Sequence, residues 1–520
     1  MKKLAVSALL IAIPFFTLVS SFSSAAPLLV PSENTLSRDE QSDADHRALK
    51  PAQAEPGSHR VYLPLLSKNF LSCDHVIETW LSTADGRTNY AAVQAGDTVC
   101  IAAGTRGDLK LQNFEGTAEN PIVFVNAGGP VIIASDTSHG ILFQNSRHFR
   151  LTGTGIHDIE YGIRIVSSTN VGVQAAYKSS DFEIDHIEVS GASGAGIMAK
   201  TKAVCSDGST NDYDYDFDGI IRGDLDDVVN RSNFTTRNLR VHDNYIHSVG
   251  AEGFYIGSSH YGGKEASCSG NVEMLYPPVL QSVSIFDNRI IDAGWDGIQV
   301  GSAIQDCNIH HNDILRDSRA NELYQQSGIM NNPGSVCNIY SNHIQDGGGP
   351  GIFVQGNGGN IIYNNVIVNA GQNEPLDSRT GNGITVYTGS NTGNNIYVLN
   401  NTIVAPRNLG IKFKNAQGDE NRVQNNIIIA PGSYDSYGDA AYIQTEERIS
   451  VEISHNYTSQ SSEGMGFAEP DSGNFALIAD SPAVDVGINW DLGVGTADKA
   501  GTARPQGRSY DAGAYECILY

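Results

Sequence analysis

The sequence predicts an all-β chain wound into one long solenoid, a parallel β-helix. Three observations carry the prediction. The 520 residues include 55 Gly, with only 18% charged and 40% hydrophobic residues, a composition that suits many short strands joined by turns and not helix bundles. A unit written apolar–x–x–Asn–x–Ile recurs, with its Asn at 244, 288, 312, 342, 365, 401, 426 and, more distantly, 456. A second unit, Gly–apolar–x–apolar, follows it at GIRI (162–165), GIMA (196–199), GFYI (253–256), GIQV (297–300), GIMN (328–331), GIFV (351–354), GITV (383–386) and GIKF (410–413). The Asn positions lie 44, 24, 30, 23, 36, 25 and 30 residues apart, which is a base period of 23–25 with insertions. Such short alternating segments cannot bury an apolar face alone, but stacked coils share one core. Stacking also places each Asn beside the next, so the Asn row reads as a structural amide ladder.

The elements follow in order. Residues 1–25 read as an export signal: Lys2 and Lys3, an almost wholly apolar run from Leu4 to Val19, then Ser23, Ser24, Ala25 and Ala26 at the cleavage end. The alternative is an uncleaved anchor. Residues 26–59 are polar and aperiodic and predict a disordered linker. Residues 60–135 supply an N-terminal cap and the first coils, 136–475 the solenoid, and 476–520 a closing segment. No later segment is long and apolar enough to span a bilayer. The formal net charge is −25, so nucleic acid is excluded as a partner. A polyanionic sugar is disfavoured unless a metal ion or a local basic pocket intervenes.

The repeats resemble those of right-handed parallel β-helix proteins of the pectate-lyase-like superfamily. The segment AGDTVCIAAGTRGDLKLQNFEGTAENPIVFVNAGGPVII (95–133) resembles the start of such domains in secreted polysaccharide lyases. SPAVDVG (481–487) with GTARPQGRSYDAGAYE (501–516) resembles the closing motif of secreted bacterial β-helix proteins with variable surface anchors. The resemblance implies a secreted or surface-located carbohydrate-active protein, acting as a monomer, that cleaves or binds an extracellular polysaccharide. The fold itself hosts lyases, hydrolases, epimerases and inert adhesins, so a non-catalytic adhesin or glycan binder is the alternative. No dinucleotide, phosphate-loop, HExxH or nucleophile-elbow pattern occurs, and no organic cofactor is expected.

Two long insertions leave the same edge of consecutive coils, at about 200–237 and 258–280. Each carries one Cys, so Cys205–Cys268 is a plausible bridge between neighbouring loops. Cys307 and Cys337 share a register one coil apart and form either a bridge or a stacked thiol pair. Cys73–Cys100 would tie down the cap, leaving Cys517 unpaired of the seven. The first insertion contains NDYDYDFDGIIRGDLDD (211–227). Asp214, Asp216 and Asp218 followed by Gly219 match the first half of a Ca²⁺ loop. Leu225 stands where the closing Glu belongs, so Asp224, Asp226 or Asp227 would have to complete the shell; the alternative is a solvated acidic loop.

Glu252 and Asp296 immediately precede the Gly of consecutive coils. Carboxylates one strand spacing apart raise one another's affinity for protons, which suits an acid beside a nucleophile or base; Asp before Gly is also common turn chemistry. The second insertion overhangs this pair and supplies His260 and Lys264, with Lys200, Lys202 and Arg240 nearby. For a lyase, Lys264 is the best-placed base. For a glycosidase, Glu252 and Asp296 are acid and nucleophile or base. Tyr255, Gln299, Met330, Phe353, Thr385 and Lys412 hold one register, coil after coil, and form either a groove floor for sugar rings or packing beneath loops.

Overall fold

The computed structural model describes residues 72–208, 228–372, 381–387 and 394–518. The predicted signal and linker, and every candidate Ca²⁺ ligand from Asp214 to Asp227, lie outside them. Each regular coil carries three short strands. One coil reads Thr235–His242, Tyr245–His247, Phe254–Gly257, and the next Val279–Phe286, Arg289–Ile291, Ile298–Gly301. Each strand pairs in parallel with its counterpart one coil on. The first and second strands of the coils form a 23-stranded sheet and the third strands a 12-stranded sheet. The three rows are called the first, second and third faces below.

The Asn row sits at the bend between the first two faces and does what the repeat predicts. Nδ2 of each Asn donates to Oδ1 of the next, at 2.9–3.0 Å, from Asn244 through Asn288, Asn312, Asn342, Asn365, Asn401 and Asn426 to Asn456. Each Oδ1 also accepts a backbone N–H of the preceding coil, as Asn312 N does to Asn342 at 3.1 Å. The residue before each Asn is in the left-handed region, with φ from 51° at Asp243 to 57° at Asn425. That conformation makes the bend, and it is why Asp, Asn, His and Ser, which tolerate it or bond locally, fill the position. One coil earlier Asp185 replaces the Asn, and its carboxylate takes Arg150 Nε at 2.7 Å and Thr152 Oγ1 at 2.6 Å instead.

The Gly row opens the third face. A Cβ on Gly297 would stand 2.6 Å from Gly328 O and 2.6 Å from Ile314 Cγ2, closer than atoms tolerate. The same pair of neighbours, the next coil's backbone carbonyl and the Ile of the second face, recurs at Gly196, Gly253, Gly328, Gly351, Gly383 and Gly410. The Ile column so covered, Ile246, Ile290, Ile314, Ile344, Ile367, Ile403 and Ile428, is buried throughout. In the first coils Phe114, Phe124, Phe143, Phe149 and Phe182 fill the interior with stacked and edge-on rings.

The disulfides are Cys73–Cys100, Cys205–Cys268 and Cys307–Cys337, with Cα atoms 5.6, 5.7 and 4.4 Å apart. Cys517 is free and buried. Closing the 63-residue separation between the insertions stabilises by about 4 kcal/mol through the unfolded chain.

From about residue 465, ahead of the boundary expected at 476, the closing segment doubles back over the outside of the second face and the bend. Phe467, Phe475, Ala512 and Ala514 pack on Val366, Ile427 and Ile429, and Trp490 Nε1 donates to Asn400 Oδ1 at 2.9 Å. Lys499 Nζ reaches Ser341 O. The closing motif is held internally by Arg504 and Glu516, an ion pair at 2.7 Å with both side chains fully buried. Among the described residues no helix is long and apolar enough to cross a membrane.

Candidate functional site

Because the Gly of each corner admits no side chain, the residue before it decides what stands at the edge of the third face. In successive coils that residue is Glu252, Asp296, Ser327, Pro350, Asn382 and Leu409. Asn382 Nδ2 donates to Thr385 Oγ1 at 2.9 Å, so this row reaches the outward side of the face. Pairing of Phe254 with Ile298 sets Glu252 and Asp296 about 4.8 Å apart at Cα, as the sequence predicts.

Both carboxyls are buried, at 3% and 0% exposure. Burial pushes Glu252 up to about 7, and the Lys200 charge partly opposes it. Asp296 is held well above the usual carboxylate range by burial and then by the Glu252 charge, against a hydrogen bond from Ser327 N to Oδ1 at 2.7 Å. A third acid joins them that sequence reasoning missed. Asp317 is fully buried, its Oδ1 accepts Ser318 Oγ at 2.6 Å, and burial pushes it up to about 7. Asp296 Oδ2, Asp317 Oδ2 and Ser327 Oγ are buried without hydrogen-bond partners among the described residues. Unmet carboxylate oxygens in such a place demand protons or a ligand. The signal for Asp317 lies in the spacing: Asn312 to Gly328 is 16 residues where Asn288 to Gly297 is nine, so this coil carries an inserted loop beside the pair.

Lys200 closes the other side. Its Nζ donates to the Tyr255 hydroxyl at 2.9 Å, and that hydroxyl lies 3.3 Å from Ser259 Oγ. His260 is held below its ordinary value by burial and by Lys264 and Lys200. Lys264 begins the antiparallel hairpin Lys264–Cys268/Asn271–Leu275 and is exposed. The second insertion leans on the next coils, for Tyr261 lies directly over Gly334.

Tyr255, Gln299, Met330, Phe353, Thr385 and Lys412 do form one cross-coil row. Tyr255, Phe353 and Lys412 are half-buried, whereas Gln299, Met330 and Thr385 are covered. The floor is therefore mixed: partly groove, partly packing.

Elsewhere, Glu183, Asp185 and His242 converge with ligand atoms within 4.8 Å of one another. Arg150 answers both acids, at 3.1 Å to Glu183 and 2.7 Å to Asp185, and Arg240 lies 3.4 Å from Glu183. That group is balanced as an ion-pair network. On the outer first face His242, Phe286, His310, Tyr340 and Tyr363 stack ring on ring at 4.5–5.0 Å. The rings use their faces on each other and present only edges outward.

Residues 228–428 match the family model for the right-handed β-helix region, which gives the solenoid its hand. Solved structures share the fold at low identity. A GH136 lacto-N-biosidase from Eubacterium ramulus is 12% identical over 74% of this chain and 67% of its own, with a TM-score of 0.45. Pectate lyase Pel9A is 12% identical over 86% and 97%, with a TM-score of 0.39. An alginate lyase from Paenibacillus sp. str. FPU-7 is 13% identical over 74% and 98%, with a TM-score of 0.33. No curated protein matches the sequence.

Proposed function

We propose that this right-handed β-helix protein is a secreted or surface-located carbohydrate-active enzyme that hydrolyses a polysaccharide laid along the third face. The observation that supports it is the pair Glu252 and Asp296, one strand spacing apart and buried, with Glu252 raised to about 7 and Asp296 raised well above the usual carboxylate range. Two such carboxyls ionise in steps, so near neutral pH one holds a proton while the other is charged. Lys200 favours charge on Glu252, which leaves the proton on the deeper Asp296. Asp296 then protonates the glycosidic oxygen, and Glu252 acts at the sugar carbon as nucleophile or through a water, in the reverse of the order the sequence favours. The covering loops must part for a sugar to reach them.

The test is a panel of neutral and acidic polysaccharides assayed for new reducing ends and for unsaturated uronate absorbance. Reducing ends without that absorbance are expected, falling about 100-fold or more in Glu252→Gln and Asp296→Asn. Uronate absorbance lost in Lys264→Ala or His260→Ala would replace hydrolysis with lyase chemistry. The complete burial of Asp296 favours a second reading, a non-catalytic glycan binder. Binding without any product, unchanged in both carboxyl variants, would establish it. Export and Ca²⁺ binding at Asp214, Asp216, Asp218, Asp224 and Asp226 belong to the same proposal. Calorimetric titration with CaCl₂ should show one site that Asp216→Ala abolishes; heats that are the same in both proteins would remove the ion.

A further inference from the structure

Arginines in this acidic chain commonly face carboxylates. Arg150, Arg164, Arg240, Arg289, Arg316, Arg319, Arg448 and Arg504 each stand within 3.9 Å of an Asp or Glu oxygen. Three that do not share one cavity. Arg147, Arg231 and Arg237 line a depression of about 420 Å³ together with Ser180, Ser232 and a single acid, Asp181. None of the three has a carboxylate partner among the described residues. Asp181 is already engaged, accepting Asn238 Nδ2 at 2.6 Å.

Neutral groups hold two of these guanidiniums in place. Arg231 donates to Tyr261 O at 2.6 Å and to Pro277 O at 3.4 Å. It lies 4.2 Å from the Tyr261 ring centroid and 5.5 Å from that of Tyr276. Arg237 donates to Gln281 Oε1, and its backbone N–H to Ser180 Oγ at 2.8 Å. Such partners fix a charge without cancelling it. Three guanidiniums around one depression repel each other unless an oxyanion joins them, and their forked donors match a carboxylate or sulfate. The cavity lies where the strands Arg147–Thr152, Ser180–Asp185 and Thr235–His242 begin, at the corner after the third face. An adjoining cavity of about 600 Å³ shares Arg231 and Ser232 and runs under the overhanging hairpin to Glu273 and Tyr276. A basic pocket on a chain of net charge −25 is the local exception that admits an anionic sugar.

We infer that Arg147, Arg231 and Arg237 bind a carboxylate or sulfate group of an acidic polysaccharide, so that the glycan of the third-face site is anionic. The inference rests on the glycan-cleaving reading above. Affinity electrophoresis of the full chain tests it, in gels containing polygalacturonate, a sulfated glycan or a neutral glucan, at two NaCl concentrations. An acidic glycan is expected to retard the protein, less so at the higher salt. Arg147→Gln/Arg237→Gln should weaken the retardation about ten-fold or more, while Arg508→Gln, a charge control elsewhere on the surface, should not. The melting temperature of the double variant shows that it is folded. Equal retardation of wild type and double variant, or retardation by no acidic glycan, overturns the pocket. Cleavage of a neutral glucan alone also overturns it, while leaving the third-face enzyme standing.

Discussion

Asp317→Asn should stabilise the protein at pH 8 by about 2–4 kcal/mol, an unusual gain from removing a charge. Burial lifts Asp317 from 3.8 to about 7, and each pH unit of difference is worth about 1.4 kcal/mol. The sign follows from proton binding. Between these values the folded chain holds the proton that the unfolded chain has released, so stability falls as pH rises from about 4 through about 7. Asn supplies a neutral group of the same shape and still accepts Ser318 Oγ. Glu252, also raised to about 7, and Asp296 push the same way. His310 opposes them, since burial and His311 lower it to about 4 and its contribution is lost on acidification. The difference between variant and wild type isolates Asp317. Urea unfolding at pH 5, 6, 7 and 8 should show that difference growing with pH and levelling above 7. A variant less stable than wild type at pH 8 would mean that a partner holds the ionised carboxylate.

Asn342→Ala should cost about 3–5 kcal/mol and unfold the middle coils first. Asn342 Nδ2 donates to Ile309 O and to Asn365 Oδ1, each at 2.9 Å, and its Oδ1 accepts Asn312 N and Nδ2. Truncation takes these side-chain partners from Ile309 O and Asn312 N, at about 1–3 kcal/mol for each buried group left unmet, and weakens the ladder at Asn365 Oδ1 and Asn312 Nδ2, which keep their bonds to Asn342 N and to Ile285 O. Substitution of Asn338, which holds the outward neighbour register and bonds Asn308 Oδ1 at 3.2 Å, should cost under about 1 kcal/mol. Hydrogen exchange in both variants checks this. Equal losses at the two positions would show that the ladder adds nothing beyond an ordinary surface amide.

The contrast between these two predictions also marks what the sequence could tell. The ladder was legible because one backbone bend, repeated, demands one side chain each time, and Asn244 to Asn456 write that demand eight times over. The Gly row was legible for the same reason. Neighbouring insertions pointed to Cys205–Cys268, whereas register set Cys307 beside Cys337 without deciding between a bridge and a thiol pair, and the structure shows the bridge. Glu252 and Asp296 were placed correctly because they are fixed by the Gly that follows. Asp317 was not, because it arrives on a loop that breaks the period, where register no longer predicts position. The coverage of Gln299 and Thr385 was left open between groove and packing for a related reason: register says which way a side chain points, but loops decide whether water reaches it. The arginine pocket gathers Arg147, Arg231 and Arg237 from three coils, and only the fold brings them together. The left-handed residue before each Asn is the one regularity present in the sequence as a type preference without a fixed letter.

The doubled-back closing segment imposes an order of assembly. Coils can add one at a time as the chain emerges, each templated by the last. Lys499, however, meets Ser341 across 158 residues, and Trp490 meets Asn400 across 90. These contacts need every intervening coil already in place. The chain therefore closes last, from its newest end, and until it does Val366, Ile427 and Ile429 face water as a sticky seam. A polypeptide cut short before residue 465 would carry that seam permanently, and would be expected to clump with its own kind or be cleared by proteases.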